Sequence, residues 1–110
     1  MANFPTYDQL SKIPLTISGT QILTYQSQTV LVNNPANTAA NITLPPLIDG
    51  PPGFNLRIIK IASNSLNNVN ITAYPGDSIE VGGTFIILTP YTYYHFIHIG
   101  NVWLYAGTAG

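Results

Sequence analysis

Asn41 to Val81 reads NITLPPLIDGPPGFNLRIIKIASNSLNNVNITAYPGDSIEV and holds the run that decides the fold. At the two-residue period of a strand, Leu56, Ile58 and Ala62 fall on one side and Ile59 and Ile61 on the other, with Arg57 and Lys60 breaking the pattern. A strand that is apolar on both sides needs cover on both, whereas an antiparallel sheet with one solvated face alternates cleanly. The cover for the second face is another sheet or another subunit.

Outward from this run, turn chemistry cuts the chain into short strands. Pro45-Pro46 stops the strand Asn41 to Leu44, because proline cannot donate to a ladder. Asp49-Gly50-Pro51-Pro52-Gly53 is a rigid loop into the strand Phe54 to Ala62, and Ser63 to Asn68 turns the chain back. Val69, Ile71 and Ala73 then alternate with Asn70, Thr72 and Tyr74. Pro75-Gly76 suits the centre of a type II turn, and Ile79 and Val81 follow as a brief strand. Gly82-Gly83 and Gly100-Asn101 are two-residue hairpin signals. They bound Thr84 to Thr89, the aromatic run Tyr91 to Ile99, and Val102 to Ala106. In the aromatic run Tyr91, Tyr93, His95, Ile97 and Ile99 share one face. Before the central stretch, Leu15 to Gly19, Ile22 to Tyr25 and Val30 to Val32 are strand-like, and Asn33 to Ala40 is a loop. Residues 1–14 read as a leader or arm and residues 15–110 as one β-domain. Eight or nine short strands at close spacing predict an all-β fold, an antiparallel sandwich of jelly-roll type.

Composition agrees with that class and narrows the chemistry. Hydrophobic residues make up 45% of the chain, with 9 glycines and 9 prolines, and polarity comes from Asn, Thr, Ser and Gln. Charged residues are 6% and the formal net charge is -1, where about 25% charged is usual. That leaves no basic surface for nucleic acid or an anionic membrane. The absence of cysteine removes disulfides and thiolate metal sites. The first residues lack a signal-peptide pattern and no segment approaches the ~20 apolar residues of a membrane helix, which predicts synthesis in a cytosol without membrane insertion. With so little like-charge repulsion, self-association is the expected native state.

Catalytic patterns are lacking. Asp49, Asp77 and Glu80 are the acids of the domain and none stands in a catalytic motif; no serine sits in a nucleophile elbow, and no glycine-rich phosphate loop precedes a helix. The reading is not an enzyme, with a small hydrolase the weakest alternative. His95 and His98, three apart on one strand, point to opposite faces and cannot chelate one metal within a chain. No metal or cofactor is expected; a ring of one histidine from each of three subunits is the sharper alternative to packed aromatics. Asn41-Ile42-Thr43 and Asn70-Ile71-Thr72 match the glycan acceptor pattern but read as strand asparagines in a chain without a signal peptide. Tyr91, Tyr93, Tyr94, Trp103 and Tyr105 offer a sugar-stacking or receptor platform, to be weighed against a core or interface.

Several short pieces fall in one order: Thr29-Val30-Leu31-Val32-Asn33, Ile42-Thr43-Leu44-Pro45, Ile59-Lys60-Ile61 with Asn64, Val69-Asn70-Ile71-Thr72, Gly76-Asp77-Ser78-Ile79 with Gly82, and Gly100-Asn101-Val102-Trp103. Over about residues 28 to 106 the set resembles the small trimeric β-domains at the ends of phage tail fibres and other virion fibres, which also occur as stand-alone proteins in large DNA viruses. The resemblance implies a homotrimeric, non-enzymatic, virion-associated protein, whose partners are itself, other virion proteins, and a host-surface receptor or glycan.

Burial leads to the same expectation from another side. Phe54 to Ala62, Thr84 to Thr89 and Tyr91 to Ile99 are apolar or aromatic on both faces, and a two-layer sandwich buries one face per sheet. The surplus points to a closed oligomer, with Ile58, Phe85, Ile87, His95 and Ile97 as the candidate subunit interface. With few ionisable groups, stability is expected to change little from about pH 5 to 9.

Overall fold

Short apolar runs, each ended by proline, glycine or asparagine, fold as short strands. The structure, a computed structural model, describes residues 13–34, 38–61, 68–80, 85–87 and 91–109, and of residues 108 and 109 the backbone only. The strands are β1 (Leu15–Ile17), β2 (Gln21–Ile22), β3 (Thr29–Val32), β4 (Ala40–Thr43), β5 (Asn55–Lys60), β6 (Val69–Thr72), β7 (Phe85–Ile87), β8 (Tyr93–His98) and β9 (Trp103–Ala109), with a short 3-10 turn at Leu47–Asp49. Most of the leader, the Gly82-Gly83 turn, Val81 and Asn64 lie outside the described residues.

The chain visits its two sheets in alternation. β1, β3 and β5 go to a five-stranded sheet ordered β1-β3-β5-β8-β9, and β2, β4 and β6 to a four-stranded sheet ordered β2-β4-β6-β7. The first three strands of each sheet are therefore parallel: Leu15, Val30 and Ile58 stand side by side in one sheet, as do Ala40 and Val69 in the other. Only the last third is antiparallel, through β5 with β8, β8 with β9, and β6 with β7. The expected all-β, two-sheet architecture is present, but both sheets are mixed, which corrects the antiparallel jelly-roll expectation. A parallel pair needs a long crossover, and here the crossover is a strand of the opposite sheet, so the first two thirds of the chain wind as coils rather than fold as hairpins.

Alternation within each strand sends one side chain in two to a common core. Val30, Val32, Leu56, Ile58, Phe96 and Trp103 from one sheet and Ala40, Ile42, Val69, Ile71 and Ile87 from the other belong to one buried cluster. Each fully buried aliphatic side chain of this kind contributes about 1.5–3 kcal/mol. Strict alternation along β5 also carries Lys60 inward, where it is wholly buried. Burial holds its ammonium pKa below the usual lysine value.

The turns behave as their residues require. Gly76 takes a φ of 93° and Asp77 N–H donates to Tyr74 O at 2.8 Å, closing the Pro75-Gly76 turn as expected. Gly100, at φ 111°, carries β8 into β9. Ile79 makes an isolated parallel bridge to Trp103, which lays Ser78 to Glu80 along the start of β9.

Candidate functional site

The crossover from β4 to β5 explains the fate of the aromatic residues. Three successive carbonyls, of Pro45, Pro46 and Leu47, each receive a side-chain donor: Trp103 Nε1 at 3.3 Å, Tyr25 Oη at 2.6 Å and His98 Nε2 at 2.8 Å. Asp77 Oδ2 accepts the Leu47 N–H at 2.9 Å. Prolines at 45 and 46 end the strand, and the Pro46 carbonyl also accepts the Asp49 N–H at 3.1 Å. Gly100 N–H donates to His98 Nδ1 at 3.0 Å. That makes Nδ1 the acceptor and Nε2 the protonated nitrogen of a neutral ring. The rings of Tyr25 and Trp103 stack at 6.2 Å and those of Tyr25 and Phe54 meet edge-on at 4.9 Å.

Trp103 is thus fully buried and cannot serve as a ligand platform. Tyr94 and Tyr105 are drawn into a second cluster with Phe85 and Phe96, with centroids 4.9–6.3 Å apart. Of the five aromatic candidates, Tyr91 is 70% exposed and Tyr93 half-buried on the outside of the five-stranded sheet. The structure therefore splits the proposed platform and leaves these two at the surface. The candidate interface splits as well. Ile58 and Ile87 point into the chain's own core, since the second sheet supplies the cover their strands need, and Phe85 packs on that core. His95 and Ile97 face outward.

What remains is one continuous outer face on the five-stranded sheet. Leu31, Ile59 and Tyr93 form one row across it, Thr29, Arg57 and His95 the next, and Asn55, Ile97 and Leu104 a third. The apolar members are half-buried, shielded by their neighbours, and Arg57 is exposed in the middle. Asn55 Nδ2 donates to Gly53 O at 3.0 Å, which turns its oxygen toward His95 Nε2 at 2.8 Å. The histidine pKa is lowered, first by burial and then by the Arg57 guanidinium opposite it.

The outer face of the four-stranded sheet is different in character. The two Asn-Ile-Thr segments lie side by side in matched register, Asn41 beside Asn70 and Thr43 beside Thr72, and Asn70 Nδ2 donates to Asn41 Oδ1 at 3.0 Å. This polar ladder corresponds to the repeated Asn-Ile-Thr tripeptide of the sequence, whose asparagines do stand on strands. Among the described residues no group of three His, Cys, Asp or Glu could hold a metal. The cleft at the first coil, lined by Ile13, Pro14, Leu15, Gln26 and Ser27, carries no titratable side chain. No protein-family model matches the chain, and no curated protein matches it.

Proposed function

We propose that this chain is a viral structural or attachment protein, a homotrimeric, virion-associated β-domain whose work is assembly and surface recognition without a catalytic step. The observation that carries the self-association is the outer face of the five-stranded sheet. It presents Leu31, Ile59, Tyr93, Ile97 and Leu104 with Arg57 as its charged member. A face with apolar rows on both sides of a single charged residue has the low charge of a subunit interface. The sequence resemblance to virion fibre domains supplies the trimer and the particle. Light scattering coupled to size exclusion at micromolar concentration tests the first element, with a mass of three chains expected and a stable single-chain mass against it. Mass spectrometry of purified particles tests the second, and absence of the chain from them refutes the virion assignment.

A second reading, a lectin-like glycan or receptor module, has one observation in its favour. Tyr91 is largely exposed yet holds a φ of 63°, a region that bulky residues avoid and that recurs at functional positions. Its N–H donates to Lys60 O at 2.6 Å, which anchors the segment. A glycan array in which saturable binding is lost with Tyr91→Ala or Tyr93→Ala favours this reading; binding unchanged in both variants removes it.

A further inference from the structure

We propose that copies of this chain dock through an intermolecular ion pair, Arg57 at the centre of the apolar outer face of one copy against Glu80 at the β9 margin of the next. The inference rests on the self-associating reading above and adds the surface and the contact that set it.

Among the described residues lysine and arginine occur only at Lys60, which is buried, and Arg57, which is exposed. Arg57 makes no ion pair or side-chain hydrogen bond with any described residue, although His95 and the apolar rows surround it. The guanidinium is suited to planar, two-point contact with a carboxylate. Among the described residues no carboxylate pairs with it. Asp77 is engaged by the Leu47 N–H. Glu80 is exposed and lies on the segment bridged to Trp103, beyond β8 and β9 from Arg57. Three strand spacings separate them, about 14 Å before any offset along the strands.

The Glu80 backbone is held at this margin: its N–H donates to Trp103 O at 2.8 Å, and Trp103 is locked in the core. Arg57 and Glu80 stand at different parts of the same sheet, one central and one marginal. That arrangement matches a contact in which the margin of one copy lies over the face of another, and repetition of it in a closed ring yields one pair for every subunit. The third exposed charge, Asp49, lies on the 3-10 turn of the β4–β5 crossover and is the alternative carboxylate in the test.

The test is a charge exchange read by light scattering across a dilution series, with circular dichroism to confirm that each variant is folded. Both side chains are exposed, so the variants Arg57→Glu and Glu80→Arg are expected to keep the fold and to weaken association by at least about tenfold, the range for breaking a close intermolecular pair. The double variant Arg57→Glu/Glu80→Arg is expected to recover most of the loss, and Arg57→Gln serves should the reversed charge disturb the sheet. A wild-type chain that stays monomeric sinks the self-associating reading itself. A wild-type oligomer whose mass and dilution behaviour are unchanged by Arg57→Glu and Arg57→Gln sinks only the Arg57 docking face. Failure of the double variant to recover, with recovery by Arg57→Glu/Asp49→Arg, overturns the choice of Glu80.

Discussion

Tyr25 lays its ring against Gly50 and donates its hydroxyl to the Pro46 carbonyl at 2.6 Å. The contact ties the crossover of the first coil to that of the second, and it depends on the missing side chain at position 50. A Cβ there would overlap the Tyr25 ring, while the backbone at Gly50, with φ -136°, suits any residue. Gly50→Ala is therefore a purely steric test. It should destabilise by about 1–3 kcal/mol, as overpacking does. Tyr25→Phe, which keeps the ring and removes the hydrogen bond, should cost about 1 kcal/mol. Urea midpoints for the two variants check this, and a Gly50→Ala protein as stable as wild type would mean that the ring has room to retreat.

Trp103 and Tyr93 should behave as opposites. Truncating fully buried Trp103 removes the stack with Tyr25, the bond to Pro45 and a large volume. Trp103→Ala should cost about 3–5 kcal/mol. Tyr93→Ala, on the outer face, should cost less than half as much while weakening association. Equal losses of stability would place Tyr93 in the core and take it off the docking face.

Acid should destabilise the fold, contrary to the pH-insensitivity expected from composition. The folded-state pKa of His95 is lowered by burial and by Arg57, while the unfolded chain titrates near the ordinary value of about 6.5. The unfolded state thus binds the proton more readily. The stability tied to neutral His95 is fully present above about pH 6.5 and is lost as pH falls through and below that value. A thermal melt series from pH 7.5 to about 5 should show a falling midpoint, and His95→Asn should flatten it. An unchanged slope in that variant would assign the effect elsewhere.

Asn41 and Asn70 should be coupled. Their amides bond at 3.0 Å on an exposed face, where paired side chains across a ladder contribute roughly 0.2–1 kcal/mol. A double-mutant cycle of Asn41→Ala and Asn70→Ala should return an interaction energy in that range. Strict additivity would show that the two amides prefer water to each other.

The strands were legible because each is short and ends on residues with one structural use: Pro45-Pro46 after β4, Pro75-Gly76 after β6, Gly100-Asn101 between β8 and β9. The faces of β8 were legible too, with His95 outward and His98 inward as a period of two demands. Pairing was not, because a turn that sends the chain back along its own sheet and one that sends it across to the other use the same glycine, proline and asparagine. The repeated Asn-Ile-Thr at positions 41 and 70 was the available sign of a coil, since equivalent rungs place equivalent residues side by side. The site was obscured by the same gap. Ile58 and Ile87 looked like surplus apolar surface only while the sheet that covers them was unknown, and Trp103 looked like a platform only while its partner carbonyls were distant in sequence. Lys60, read as a break in the pattern, follows the pattern and is buried.

The alternation of the chain between two sheets also dictates an order of events during folding. β1, β3 and β5 are neighbours in space but are separated in the chain by strands of the other sheet, so none of their ladders can close as a local hairpin. Among the described strands, sequential partners occur only in β6 with β7 and β8 with β9. Local contacts form fast and distant ones slowly. The antiparallel pairs β6 with β7 and β8 with β9 are therefore the natural nucleus, and the parallel coils, open-edged and apolar until their neighbours arrive, close later.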